Sequence, residues 1–179
     1  MTRVPAIAAT LITLASLGVA SPANASSPDS PSSTTTEAAQ IASFEETTFD
    51  MTRGWGVATA CNVTDNGTTC YRTESEMNKA IASTPGASSR AANCSSSLRL
   101  YDGTGHTGQV ISITTRSTVV SLAGYGFNNR TSSYKVGACS ARLYNGIGTS
   151  QYGGNTSAYA SATSMASGWN NVISSVTLS

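Results

Sequence analysis

The sequence predicts an all-β domain, a sandwich or barrel-like fold built on an internal duplication. Three observations predict it. The stretch Gly126-Phe127-Asn128-Asn129-Arg130-Thr131-Ser132-Ser133 has a near-copy 42 positions on, Gly168-Trp169-Asn170-Asn171-Val172-Ile173-Ser174-Ser175. Upstream, Leu100-Tyr101-Asp102-Gly103-Thr104-Gly105 recurs at an offset of 43 as Leu143-Tyr144-Asn145-Gly146-Ile147-Gly148. Two separate patches repeating at nearly one offset mark a duplicated unit. Between them lie short β-branched or alternating runs punctuated by glycine, such as Leu98-Arg99-Leu100, Val110 to Ile113, Val119 to Leu122, Tyr134-Lys135-Val136 and Val176-Thr177-Leu178. That spacing suits many short strands. Charged residues make up only 11% of the 179, which fits turns and strands better than solvated helices.

Taken in order, residues 1–25 read as a secretory signal peptide. Arg3 supplies the positive start, Val4 to Ala20 the apolar run, and Ala23-Asn24-Ala25 the cleavage pattern. The run is too short and too interrupted for a spanning helix. A secreted, extracellular chain is expected, with no membrane attachment after signal cleavage. Residues 26–50 are rich in Ser, Thr and Pro and read as a disordered linker. Residues 51–90 read as a small hairpin-and-helix module. Asp65-Asn66-Gly67 is a hairpin turn signal between two strand-like runs. Thr73-Glu74-Ser75-Glu76 is a capping-box pattern opening a short helix, with Met77, Ala80 and Ile81 on one face. Residues 91–179 hold the duplication, repeat 1 at about 94–138 and repeat 2 at about 139–179.

Four cysteines in an exported chain imply disulfides, with three possible pairings. The hairpin favours Cys61–Cys70. Cys94 and Cys139 open the two repeats at equivalent positions, and a bridge between them would staple the halves.

Charge excludes some functions. From Cys94 onward Arg99, Arg116, Arg130, Lys135 and Arg142 face one acidic side chain, Asp102, for a net +4. There is no basic cluster with interleaved aromatics, so no nucleic-acid partner is expected. His106 is the sole histidine. A catalytic triad would have to use it with Asp102 on a glycine-rich turn, a poor arrangement that reads better as a solvated hairpin tip. No carboxylate pair, phosphate loop or metal-hydrolase signature is present. A non-enzymatic protein, acting as a monomer, is expected. The Asn-x-Ser/Thr sequons, such as those at Asn62, Asn129 and Asn155, are those expected by chance in a Ser/Thr-rich chain.

The repeat resembles the βγ-crystallin Greek-key motif. Tyr101 followed after six residues by Gly108 matches the family's hairpin signature. Asn128 to Ser133 and Asn170 to Ser175 match the N/D-N/D-x-x-S/T-S calcium motif of its microbial members. The resemblance covers Cys94 to Ser179. It implies two four-stranded Greek keys packed as a sandwich. It also implies that Gly108 permits the folded hairpin, that Ser133 and Ser175 tie each hairpin down, and that calcium sits between the keys. The implied side-chain ligands are Asn128, Asn129, Ser132, Asn170, Asn171 and Ser174. Neutral oxygens suit a hard cation, but neither motif holds a carboxylate and Arg130 brings a cation into the first, so weak calcium binding is expected. The alternative is that Asn and Ser serve only as turn formers. Repeat 2 departs from the pattern. After Tyr144 and six intervening residues comes Gln151 rather than glycine, so its hairpin must be rearranged.

The export signal, disulfides and size are also similar to those of secreted actinomycete metalloproteinase inhibitors of the same fold. That likeness implies a second function, inhibition of an extracellular metalloprotease through a rigid exposed loop. Residues 103–107 and 149–158 are the candidate loops. A structural cell-envelope or stress protein without a small ligand is the third reading.

Overall fold

The computed structural model describes residues 38–84, 97–116 and 118–179. The expected signal peptide, residues 26–37 of the expected linker, and Cys94 lie outside them. Two sheets carry the fold. In the duplicated region, strands β5 (Leu98–Tyr101), β6 (Val110–Ile113), β7 (Val120–Ser121) and β8 (Ser133–Val136) form one Greek key. Strands β9 (Ala141–Asn145), β10 (Ser150–Gln151), β11 (Ser161–Ala162) and β12 (Ser175–Leu178) form the second. Each key gives its third strand to the other's sheet: β7 pairs with β12, and β11 pairs with β8. This exchange interlocks the halves, and neither can complete its sheet alone.

The alternation read from the sequence places the core. Leu98 and Leu100 are fully buried with Ile111, Ile113 and Tyr134 from the first key, and with Leu143, Val176 and Leu178 from the second. Burying each large aliphatic side chain contributes on the order of 2 kcal/mol. The interlock is therefore chiefly a hydrophobic one.

The N-terminal region departs from the expectation of a linker followed by a separate module. Residues 41–50 are not a linker. They form a hairpin of β1 (Ile41–Phe44) and β2 (Thr47–Asp50) around Glu45-Glu46. Ala42 is fully buried, and Phe44 and Phe49 pack against the core. Apolar side chains spaced through a Ser/Thr-rich stretch were enough once a neighbouring strand was available. Glu-Glu also carries no turn signal, although Glu45 adopts φ 52° there. The second hairpin, β3 (Ala60–Thr64) and β4 (Gly67–Tyr71), turns at Asp65-Asn66 and sets Cys61 opposite Cys70. These two are disulfide-bonded. Cys139 is buried and disulfide-bonded as well.

Strand β3 runs parallel to β6 and β1 parallel to β4. The first sheet thereby grows to eight strands, in the order β11-β8-β5-β6-β3-β4-β1-β2. The described residues all belong to one compact unit. Helix α1 (Glu74–Ser83) starts at Thr73, whose hydroxyl accepts from the Glu76 amide at 3.1 Å. Its Met77 and Ile81 cover Ala60, Tyr101 and Val110 on the outer face of that sheet.

Candidate metal centre

The two Asn-Asn motifs meet in a crossed, nearly symmetric arrangement. Asn129 and Asn171 both adopt left-handed backbone conformations, φ 56° and 57°. Asparagine tolerates this region better than most residues. Each turn then reaches the other: the Asn129 amide donates to Ile173 O and the Asn171 amide to Thr131 O, both at 2.9 Å. The side chains repeat the crossing. Ser174 Oγ donates to Asn129 Oδ1 at 3.1 Å, and Ser132 Oγ donates to Asn171 Oδ1 at 3.2 Å. Each motif thus pairs its own carboxamide oxygen with the other motif's hydroxyl. Four of the six implied ligands are brought together in this way. Asn128 and Asn170 lie exposed in the same turns, outside these bonds.

Oxygens about 3 Å apart have the spacing of neighbouring ligands around a cation bound at roughly 2.3–2.6 Å. The donor set is all oxygen and neutral, so it fits a hard cation and lacks the charge that tightens one. No cluster of three or more His, Cys, Asp or Glu is found among the described residues. The cation that Arg130 brings into the first motif is engaged. Its guanidinium donates to Asp102 Oδ2 at 2.7 Å, Gln109 Oε1 at 2.6 Å and Gly126 O at 3.0 Å, and it lies over the Phe127 ring. Repeat 2 has Asn145 and Val172 at the two equivalent positions, so the charge pair is replaced as a unit. That joint replacement is the signal in the sequence from which the Asp102–Arg130 contact could have been read.

The hairpins beside the motifs are tied down by the last serine of each. Ser133 Oγ donates to Gly103 O at 2.6 Å and accepts from the His106 amide at 3.1 Å. Ser175 Oγ donates to Gly146 O at 2.6 Å and accepts from the Gly148 amide at 3.1 Å. In the first hairpin Tyr101 pairs with Val110, nine positions on. In the second Tyr144 pairs with Gln151, seven positions on. The second loop is two residues shorter and so dispenses with the glycine. Gly108 sits at φ 80°, where an added Cβ would collide with the Asp102 carboxylate. His106 is not the solvated tip expected. It is half-buried, its ring 5.3 Å from that of Tyr101 and its Nε2 3.2 Å from Tyr134 O. A φ of 61° turns it back over the sheet.

Two supports escaped the sequence reading. Trp55 donates to Tyr125 O at 2.9 Å and stacks on Phe127, bracing the first motif from behind. Glu74 of α1 accepts from the Tyr101 hydroxyl at 2.8 Å and from Arg99 at 2.7 Å. Burial, followed by this carboxylate, raises the Tyr101 pKa far above the usual phenol value. Burial, with Tyr152 alongside, pushes that of Tyr134 up to about 12. No local pattern announces either contact, because the partners come from the separately read N-terminal region.

No protein-family model matches the chain, and no curated protein matches it at a significant level. Among solved structures it is similar to a βγ-crystallin from Ciona intestinalis, at 20% identity over 46% of this chain and 99% of that one, TM-score 0.38. It is similar to the N-terminal domain of protein S at 24% identity, 46% and 94% coverage and TM-score 0.38. A βγ-crystallin domain from Clostridium beijerinckii is similar at 16% identity, 46% and 95% coverage and TM-score 0.32. Each of the three aligns almost whole with less than half of this chain.

Proposed function

We propose that this chain is a secreted, non-enzymatic Greek-key protein that binds calcium weakly between its two keys, and that the ion stabilises the fold. The crossed pairs Ser174–Asn129 and Ser132–Asn171 carry the reading. They converge neutral oxygens from halves that are far apart in sequence, so an ion held there would brace the interlock. A ligand that binds only the native state raises stability with the logarithm of its saturation. The test is the melting temperature of the chain in excess chelator and in millimolar calcium. A rise of a few degrees, roughly halved in Ser174→Ala and abolished in Ser174→Ala with Asn171→Ala, is expected. No shift in the parent protein overturns the reading and leaves the motifs as turns.

A second reading is inhibition of an extracellular metalloprotease, favoured by the segment 153–159. It is exposed yet pinned: the Tyr134 hydroxyl donates to Asn155 O at 2.7 Å, Thr156 Oγ1 to Ala141 O at 2.6 Å, and the Tyr159 amide to Gly137 O at 2.7 Å. Tyr159, 77% exposed, stands at its end. A rigid loop loses little entropy on docking. Titration against a thermolysin-type protease, with Tyr159→Ala as control, tests it.

A further inference from the structure

We infer that the cleft between β8 and the turn at Tyr159 binds a small aryl monocarboxylate, with its carboxylate on Lys135 and its ring on Tyr159. The cleft holds about 320 Å³, and its lining includes Arg99, Lys135, Val136, Ala138 and Tyr159. That is room for a ligand of about one ring. Two features that cost stability meet there. The first is a like-charge pair. Lys135 on β8 stands directly opposite Arg99 on β5, an arrangement that is destabilising between neighbouring strands. The charge of Arg99 is answered: it meets Glu74 at 2.7 Å and donates to Asn78 Oδ1 at 2.7 Å. Glu74 is engaged in turn by the Tyr101 hydroxyl. Lys135 is exposed, and its ammonium lies 5.4 Å from the centre of the Tyr101 ring. A ring face attracts a cation and leaves its charge uncancelled. Among the described residues no carboxylate forms an ion pair with Lys135. Its other strand neighbour is Ser161, and the sequence holds no Asp or Glu beyond Asp102.

The second feature is Tyr159 itself. It adopts φ 63°, a left-handed conformation that is an outlier for a bulky residue and free of penalty only for glycine. The turn is fixed there by Tyr159 N donating to Gly137 O at 2.7 Å and Ala160 N to Ser157 O at 3.0 Å. The ring gains little from the fold in return, since the residue is 77% exposed. Strain of this kind concentrates where a side chain must be presented to a ligand. The chemistry of the ligand follows from the lining. With Arg99 balanced by Glu74, the cleft keeps one net positive charge, which suits a monoanion. The Tyr159 ring, Val136 and Ala138 offer a face for a flat apolar body. The site depends on neither function proposed above and shares only Tyr159 with the inhibitor reading.

The experiment is saturation-transfer NMR on the full chain with 4-hydroxycinnamate and with its uncharged methyl ester, repeated on Lys135→Gln and Tyr159→Gly. Saturable transfer to the acid is expected, about fivefold or more tighter than to the ester. Lys135→Gln keeps an exposed polar side chain and relieves the contact with Arg99, so the fold is retained; it should erase the preference for the acid. Tyr159→Gly should weaken binding of the acid by about fivefold or more. The same substitution should raise the melting temperature, because glycine accepts the backbone conformation without strain. No saturable transfer to the acid overturns the inference, as does an ester that binds the parent protein equally well. A preference for the acid that survives Lys135→Gln also overturns it. So does a fall in melting temperature on Tyr159→Gly, which would make the ring a structural support.

Discussion

The Arg130 guanidinium meets the Asp102 carboxylate at 2.7 Å, joining the first Asn-Asn motif to the first hairpin. Asp102 Oδ1 also accepts from the Gln109 amide at 2.7 Å, so one carboxylate closes the hairpin and anchors the motif. The pair is partly exposed, at 36% and 23% of side-chain area, which limits its strength. Asp102→Asn is expected to cost about 1 kcal/mol, since it leaves Arg130 without its counter-charge. The double variant Asp102→Asn with Arg130→Val copies repeat 2 and is expected to recover part of the loss. Urea unfolding of the four-member cycle measures the coupling. Strict additivity would show that the contact contributes nothing.

Thr131 Oγ1 is buried without a partner in the middle of the first motif. Its counterpart in repeat 2 is Ile173, fully buried. Thr131→Val is therefore expected to stabilise the protein by roughly 1 kcal/mol by removing an unsatisfied hydroxyl at constant shape. The calcium response should be unchanged, because the backbone carbonyl that binds Asn171 N remains. A loss of stability in denaturant melts would mean that the hydroxyl has a partner in solution.

Ser133 and Ser175 are fully buried and each satisfies two backbone groups of a hairpin. Alanine at either position strands a carbonyl and an amide. A cost of about 1–3 kcal/mol is expected for each. Amide exchange reads it locally: the His106 amide should lose protection in Ser133→Ala, and the Gly148 amide in Ser175→Ala. Loss of protection in the wrong hairpin would contradict the separate ties.

Tyr101 and Tyr134 keep their protons in the folded state to a higher pH than in the unfolded one. Their contribution is present in full below the unfolded phenol value of about 10 and is lost as pH rises above it. For Tyr134 the loss runs up to about 12. Stability is expected to hold through neutral pH and fall steeply in alkali, with Tyr71, Tyr101, Tyr125 and Tyr134, all raised first by burial, titrating late by tyrosinate absorbance. All seven tyrosines ionising together near their ordinary value, in a protein still folded, would contradict this.

The sequence by itself determined strands β3 to β8 and β12, the duplication and the turn of the β3–β4 hairpin, because these depend on residues close together in the chain. The period-two alternation of Leu98-Arg99-Leu100 put Leu98 and Leu100 in the core, and the Asx-Gly turn set Cys61 against Cys70. The paired Asn and Ser residues of the two motifs were legible as a meeting place only because they were repeated. What the tertiary structure decided was which partners each group found. Glu74 reached Tyr101, Trp55 reached Tyr125, and residues 41–50 became strands because β4 offered them an edge. The strand exchange of β7 and β11 likewise brought Ser174 to Asn129 across 45 residues. Such pairings arise from burial and unpaired strand edges shared between distant segments, and no local pattern encodes them.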